Sequence, residues 1–282
     1  MEHLSSCLVC GSKKIINKKS LIDYALTKEK FSLYQCLSCG VLFTNPRPKK
    51  DKIQKYYDLK KYDSFNKKSG FFGFIYSFIQ RLNNSYKISL LKKYKTGSLL
   101  DYGSGSGSFV NYTQKRGYTS FGYEPINKQK HHTVYKNKAI VKKQKYDWIT
   151  LWHVLEHTHN PKETLKDMGG LLNKGGLIAV AIPNRSSYDN TYYKNYWAGY
   201  DVPRHLFHFN TFSFERLVGF ANLKIINKKP LWFDSIYVSI LSEKYKKNKF
   251  SFISGFLRGF VSNLYAIKTG QHSSIIYILR KC

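Results

Sequence analysis

Acidic residues are scarce in this 282-residue chain: 17 Asp and Glu stand against 47 Lys and Arg, for a formal net charge of +30. Such a surplus would ordinarily point to nucleic acid or an anionic membrane face. Here it is mostly lysine, spread along the chain among abundant Asn, Ile, Tyr and Phe, which reads as a compositional bias. No nucleic-acid-binding motif accompanies it, so nucleic acid is disfavoured as a partner. Long apolar runs are also missing. The most continuous, Phe71 to Ile79, is too short to span a bilayer, and there is no charged-then-apolar leader. These absences lead to the expectation of a cytoplasmic protein. No internal repeat is evident, and the length allows one large domain or one domain plus a small module.

Cysteine is sparse but patterned. Four of the five fall as CLVCG and CLSCG, with Cys7, Cys10, Cys36 and Cys39 forming two C-x-x-C-G knuckles separated by 25 residues. Each knuckle offers two thiolates from one tight turn, and Gly11 and Gly40 are free to take positive φ, so tetrahedral zinc is expected. A redox C-x-x-C would not need a second copy, and a disulfide framework belongs to an oxidising compartment. Zinc would staple a segment too small to hold itself together. Cys282 is a bystander.

Residues 1–45 thus read as a zinc ribbon, with short strands at Phe31 to Gln35 and Val41 to Phe43. The segment NPRPKK, with Pro46 and Pro48, ends it as a stiff joint. Residues 46–95 read as a lysine-rich helical linker or lid, in which Phe71, Phe74, Ile75, Phe78, Ile79 and Leu82 recur at helical spacing. This stripe suits core, a lid or an anionic membrane surface. From residue 96 to 282, short apolar strands alternate with helices: SLLDY, TSFGYE, YDWITLW, GLIAVAIPN, then late strands at Leu223 to Asn227 and Ser274 to Leu279. That alternation predicts an α/β fold with parallel strands covered on both faces. An insertion at 230–270 is expected to be helical, with a face marked by Phe252, Phe256, Phe260, Val261 and Leu264.

The stretch LLDYGSGSGSFV has the composition of a flexible spacer at its centre. An apolar strand enters it, however, and a helix with Phe109, Val110 and Tyr112 leaves. Strand, glycine turn and helix make a cradle, in which the backbone can approach a ligand closely. The dinucleotide fingerprint fails because Ser108 stands in place of its third glycine, and no GK[ST] follows to make a P-loop.

The form D-x-G-x-G-x-G resembles that of class I S-adenosylmethionine-dependent methyltransferases. Glu124 ends the second strand in FGYEP, 23 residues after Asp101, where a carboxylate can accept from both ribose hydroxyls. The stretch YDWITLWHVLEHTHNPKETLKDMGGLLNKGGLIAVAIPN is similar to the fourth strand, helix and fifth strand of that family, with Asn160-Pro161 as N-cap and first helical position. With Trp197 and DVPRHLFHFN, it resembles a bacterial subgroup that carries an N-terminal zinc ribbon. The resemblance implies a Rossmann-like sheet of seven strands, mostly parallel with the last antiparallel. It implies that Gly103, Gly105 and Gly107 line the methionine end of the cofactor, with Asp101 and Ser104 in the same binding loop. Glu124 would hold the ribose, Pro125 and Ile126 the adenine face, and Leu151 or Trp152 the amino group. Two departures stand out. NKAIVKKQKY offers no Asp for the adenine amino group, and Gly169-Gly170 interrupts a helix normally continuous in the family.

HVLEH supplies His153, Glu156 and His157, expected on one helical arc just after the strand that ends at the methyl group. Three roles are open. One imidazole could accept the acceptor's proton with Glu156 orienting it. The set could bind a metal, being similar to the E-V-L-E-H site of quinone-biosynthesis O-methyltransferases. The histidines could simply satisfy hydrogen bonds in the cleft wall. His205 and His208 fall at the same carboxyl edge, His205 being a further catalytic candidate and Arg204 a grip for an acceptor phosphate or carboxylate. Trp197, near Tyr192, Tyr193 and Tyr196, suits stacking on a sugar or packing under a lid.

The resemblance implies a methyltransferase for a small or lipid-linked acceptor, a sugar or polysaccharide-pathway intermediate. The Phe-rich stripes and the lysine excess add transient contact with the inner membrane face. The alternatives are metal-assisted O-methylation of a quinone or phenolic compound, and a nucleic-acid-binding or RNA-modifying protein using ribbon and basic surface. Oligomeric state is not set by the sequence.

Overall fold

The computed structural model describes residues 1–57, 71–94, 96–126 and 132–282, and the side chains of 71–80 lie outside that description. Three strands come first: β1 (Ile15–Ile22), β2 (Lys30–Cys36) and β3 (Leu42–Thr44). A long helix α1 (Phe71–Lys92) leads into β4 (Ser98–Tyr102), α2 (Ser108–Gln114), β5 (Thr119–Tyr123), β6 (Val134–Tyr135), α3 (Lys138–Val141) and β7 (Tyr146–Trp152). Then come α4 (Pro161–Gly170), β8 (Leu172–Pro183), α5 (Tyr188–Tyr193), β9 (Phe207–His208), α6 (Thr211–Phe220) and β10 (Leu223–Pro230). The last elements are α7 (Trp232–Tyr245), α8 (Ser251–Thr269) and β11 (Ser274–Lys281).

The main sheet has seven strands in the order β10-β11-β8-β7-β4-β5-β6. The pairs from β8 to β6 are parallel, and β11 inserts antiparallel between β8 and β10. This is the expected architecture. Leu99, Leu100, Trp148, Ile149, Leu151 and Ile178 to Ile182 are buried, as near-continuous apolar strands covered on both faces must be. Because β4 pairs with β5 on one side and β7 on the other, its carboxyl end opens at a topological switch point, where α/β sheets bind ligands. Asn160 caps α4 by accepting from the Glu163 N–H, with Pro161 at the first helical position. Gly169 and Gly170 end that helix instead of interrupting it.

The ribbon is less separate than its composition suggests. Its strands form an antiparallel sheet β1-β2-β3-β9, whose last member comes from beyond β8. Cys7, Cys36, Cys39, Val41 and Phe43 share one continuous core with Ile149, Leu151, Leu206 and Phe207. The NPRPKK segment is pinned, with buried Arg47 donating to Glu2 and to the His159 carbonyl. In the 46–95 region the apolar stripe from Phe71 to Ile79 lies outside the described side chains, while Leu82 is exposed.

Within residues 230–270, α7 and α8 pack as an antiparallel pair of helices. On α8 the face marked by Phe252, Phe256, Phe260, Val261 and Leu264 is exposed, while Gly255, Gly259, Ser262 and Ala266 are buried.

Arg204 is no acceptor grip. Its side chain is 1% exposed and donates to Asp23 at 2.7 Å, to Asp201 at 2.8 Å and to the Tyr56 carbonyl at 3.1 Å. Asp23 sits in the turn between β1 and β2, where it also accepts from the Ala25, Leu26 and Thr27 N–H groups. Burial alone would raise Asp23, but Arg204 and the Thr27 bonds hold its carboxyl below the ordinary value. Trp197 is packing as well, buried and donating to Asp189 at 2.7 Å.

Arg204→Ala leaves two buried carboxylates uncompensated and should cost about 3–5 kcal/mol in denaturant unfolding at neutral pH. Because Asp23 has a depressed folded pKa, this contribution is present above its unfolded value, about 3.9, and fades as pH falls through the folded one. The difference from wild type should therefore narrow in acid. A constant gap would show that Asp23 is not the partner that matters.

Candidate active site

The glycine loop leaves β4 at Gly103, whose φ of 80° and contact with Val154 together demand glycine: a Cβ there would sit 2.4 Å from the Val154 side chain. At Gly105, φ 53°, a Cβ would meet nothing within 4 Å, so this backbone faces open space. Gly103 and Ser104 N–H donate to the Tyr123 carbonyl, tying the loop to the end of β5. Glu124 follows directly. One of its oxygens accepts from the Gly105 N–H at 3.1 Å and the other from the Ile126 N–H at 3.1 Å. Each oxygen keeps a further lone pair. Pro125 and Ile126 beside it are exposed.

Asp101 does not face the cleft. It is buried, accepts from the Thr150 hydroxyl at 2.7 Å, and is pushed up to about 6 by burial. Its work is to join β4 to β7 beneath the loop. Leu151 is fully buried in β7. Trp152 ends that strand, edge-on to Phe109, with the Lys87 ammonium 4.4 Å from its ring. The Ser104 hydroxyl and the Trp152 indole N–H are among the buried polar atoms that lack a hydrogen-bond partner among the described residues. Orphans of this kind beside an open glycine backbone suit a polar ligand.

HVLEH is not a helix. His153 has φ 55°, residues Leu155–His157 make one short 3-10 turn, and α4 starts only at Pro161. The side chains converge nonetheless. His153 bridges two carboxylates, Nε2 to Asp234 at 2.7 Å and Nδ1 to Glu156 at 3.3 Å. Burial alone would lower it, but the two acids outweigh burial and hold it at about 10. It is therefore charged at neutral pH. Asp234, at the start of α7, has no signal in the sequence that links it to His153.

His157 behaves in the opposite way. Its Nδ1 lies 3.0 Å from the Arg204 carbonyl and 2.8 Å from the Tyr57 hydroxyl. A carbonyl can only accept, so Nδ1 carries the proton and Nε2 keeps a lone pair. Burial, reinforced by His205, lowers the ring to about 4. His205 is held the same way, its Nδ1 donating to the Gly199 carbonyl at 2.9 Å, and the two imidazoles meet edge to face at 4.5 Å. One ligand atom from each of Glu156, His157 and His205 falls within 4.8 Å of the others, and the second Glu156 oxygen is buried without a partner among the described residues. This trio could hold a divalent cation. His208 instead sits buried in β9 against Thr44.

A cavity of about 390 Å³ opens against this cluster. His153, His157 and His205 line one side, Val238, Leu241 and Tyr245 of α7 another, and Ala25 and Leu26 of the β1–β2 turn a third. The N-terminal sheet therefore contributes wall to the site, a role no sequence signal revealed.

The cysteine quartet is assembled. Cys7 and Cys39 sulfurs lie 3.6 Å apart, Cys10 and Cys36 3.5 Å, and all four fall within 4.8 Å of one another. Zinc–sulfur bonds of about 2.3 Å give tetrahedral edges of about 3.8 Å, so the residues fit the ion.

Residues 72–228 match the family model described as a methyltransferase domain, more than half of the chain, and the chain belongs to that family. By that family it is a methyltransferase. Among solved structures, magnesium protoporphyrin IX methyltransferase from Synechocystis with bound S-adenosylhomocysteine is 11% identical at a TM-score of 0.51, over 82% of this chain and 98% of that one. A plantazolicin methyltransferase is 17% identical at 0.46, covering 81% and 93%. A mycolic acid cyclopropane synthase is 14% identical at 0.47, covering 70% and 83%. At such identities the likeness is one of fold. No curated protein matches.

An imidazole NMR titration should find His153 charged and His157 neutral throughout about pH 6–8. The reverse assignment would remove the electrostatic basis of this site.

Proposed function

We propose that the enzyme transfers a methyl group to a small or lipid-linked acceptor, a sugar or polysaccharide-pathway intermediate, held in the cavity beside His157 and His205. The cofactor's holders would be the loop of Gly103, Ser104, Gly105 and Gly107, with Glu124 for the ribose, Pro125 and Ile126 along the adenine, and Trp152 near the amino group. When bound, S-adenosylmethionine supplies a methyl on a sulfonium that is already a good leaving group. The protein then has to align the acceptor and take its proton.

One observation carries the choice of base. His157 and His205 each spend Nδ1–H on a backbone carbonyl, so each keeps an Nε2 lone pair free to accept a proton, and both rings line the cavity. His153 is disfavoured, since its ring is engaged by Asp234 and Glu156. It positions Glu156 and α7 instead. The acceptor class rests on the family resemblance, to which the apolar cavity wall from α7 adds room for a hydrocarbon portion.

A second reading is favoured by the unpartnered Glu156 oxygen. A divalent cation on Glu156, His157 and His205 would polarise a phenolic or quinol hydroxyl, giving metal-assisted O-methylation. In that version His205 takes the ligand place that the spacing alone gave to His153. Separately, we assign zinc to Cys7, Cys10, Cys36 and Cys39, where it holds the turns of the N-terminal sheet as in the ribbon-bearing subgroup.

Calorimetry should show S-adenosylmethionine binding weakened about 10- to 100-fold by Glu124→Ala, from loss of charge-assisted bonds. With an acceptor found by mass gain, His157→Asn or His205→Asn should lower kcat by about 10²–10⁴ while leaving cofactor affinity intact. An unchanged kcat would end the base assignment. Metal analysis should find one zinc per chain that Cys36→Ser removes. A second divalent ion lost in His205→Ala would replace the first reading by the second.

A further inference from the structure

We propose that the outer face of α8 is a docking surface for an anionic lipid bilayer. The helix is built inside out for a water-exposed element. Its buried stripe is Gly255, Gly259, Ser262 and Ala266, all small. A Cβ on Gly255 would lie 2.4 Å from the Ile240 Cα, and one on Gly259 2.5 Å from the Ile236 Cα, so α7 and α8 touch backbone to backbone. The opposite stripe, Ile253, Leu257, Phe260, Leu264 and Ile267, recurs at alternating steps of four and three. With Phe256 alongside, these side chains are 47% to 65% exposed. Scattered exposed leucines need no explanation, but a contiguous apolar stripe that runs from Ile253 to Ile267 of this 19-residue helix marks an interaction site.

Charge decides between occupants. No Asp or Glu occurs anywhere in residues 244–282, while Lys246, Lys247, Lys249, Arg258 and Lys268 flank or lie on the helix. A second copy would bring an identical set of cations against this one and repel it. Anionic headgroups complement the cations, and the apolar stripe enters the boundary between headgroups and acyl chains, as an interfacial amphipathic helix does. Nothing here spans: among the described residues no helix is long and apolar enough to cross a membrane. Because α7, packed against α8, lines the cavity through Val238, Leu241 and Tyr245, docking would set the acceptor site beside the lipid surface. That last consequence rests on the proposed acceptor reading. The docking itself does not.

The test is co-sedimentation of the full chain with vesicles, one set of phosphatidylcholine alone and one with roughly a quarter phosphatidylglycerol. The expected result is binding to the anionic set at low salt, weakening as salt rises. It should fall at least tenfold in the double variant L257D/F260D, whose two sites are exposed, while calorimetric affinity for S-adenosylmethionine stays at the wild-type value and shows an intact fold. Undiminished binding by the variant would mean that the general lysine surplus is responsible, and the proposal fails. It fails equally if no vesicle binds, or if sedimentation shows a wild-type dimer that the variant abolishes, since a second copy would then cover the face. Loss of cofactor affinity in both proteins would count against the methyltransferase reading and leave vesicle binding as a separate result.

Discussion

A guanidinium sealed from water ties the β1–β2 turn of the N-terminal sheet to the loop that leads into β9. Arg204 reaches Asp23 in the β1–β2 turn, Asp201 in its own loop and the Tyr56 carbonyl at once. A buried charge of this kind is stable only when every partner is in place, so it specifies geometry more than it adds stability. Its backbone matters too, because the Arg204 carbonyl receives the His157 Nδ1–H and fixes that ring's tautomer. The Asp23 turn in turn presents Ala25 and Leu26 to the cavity. One ion cluster thus bears on both the tautomer of His157 and the cavity wall at Ala25 and Leu26.

The two halves of the site follow different physics. The glycine-loop half is a backbone device, in which positive φ at Gly103, Gly105 and Gly107 folds the loop over the end of β5, where its N–H groups bond the Tyr123 carbonyl, the Ser104 carbonyl and the Glu124 carboxylate. The acceptor half is an electrostatic device. Burial acts against charge on both His153 and His157, but Asp234 and Glu156 outweigh it at His153, whereas at His157 burial and the neighbouring His205 prevail over Glu156 and Asp201. A charged ring and a neutral one thus stand four residues apart in the same cavity wall.

How much of this was legible in the sequence follows from the range of each interaction. The cradle was legible because alternate glycines after an apolar strand have few other uses, and the knuckles because zinc geometry leaves its mark in local spacing. The alternation of strands and helices predicted the seven-stranded sheet for the same local reason. Arg204 was misread as an anion grip, since its partner Asp23 lies 181 residues away and lone arginines near a cleft resemble ligand binders. His153 and His157 stood as equal candidates for the base in the sequence because Asp234, which engages His153, belongs to a segment that looked like an accessory insertion. On α8 the apolar periodicity marked a face without saying which way it points, and the glycines that turn it outward gave the direction only once α7 was beside them. HVLEH looked helical, yet the left-handed backbone of His153 breaks the turn before it forms.

The central claim is that one cleft unites a glycine-loop cofactor site with a histidine-lined cavity walled partly by the N-terminal sheet. The most direct measurement is a crystal structure of the full chain grown with S-adenosylhomocysteine. The account predicts the ribose against Glu124, the methionine portion along residues 103–107, and the sulfur directed toward the cavity of His157 and His205. A cofactor product bound elsewhere, or with its sulfur turned away from that cavity, would contradict it.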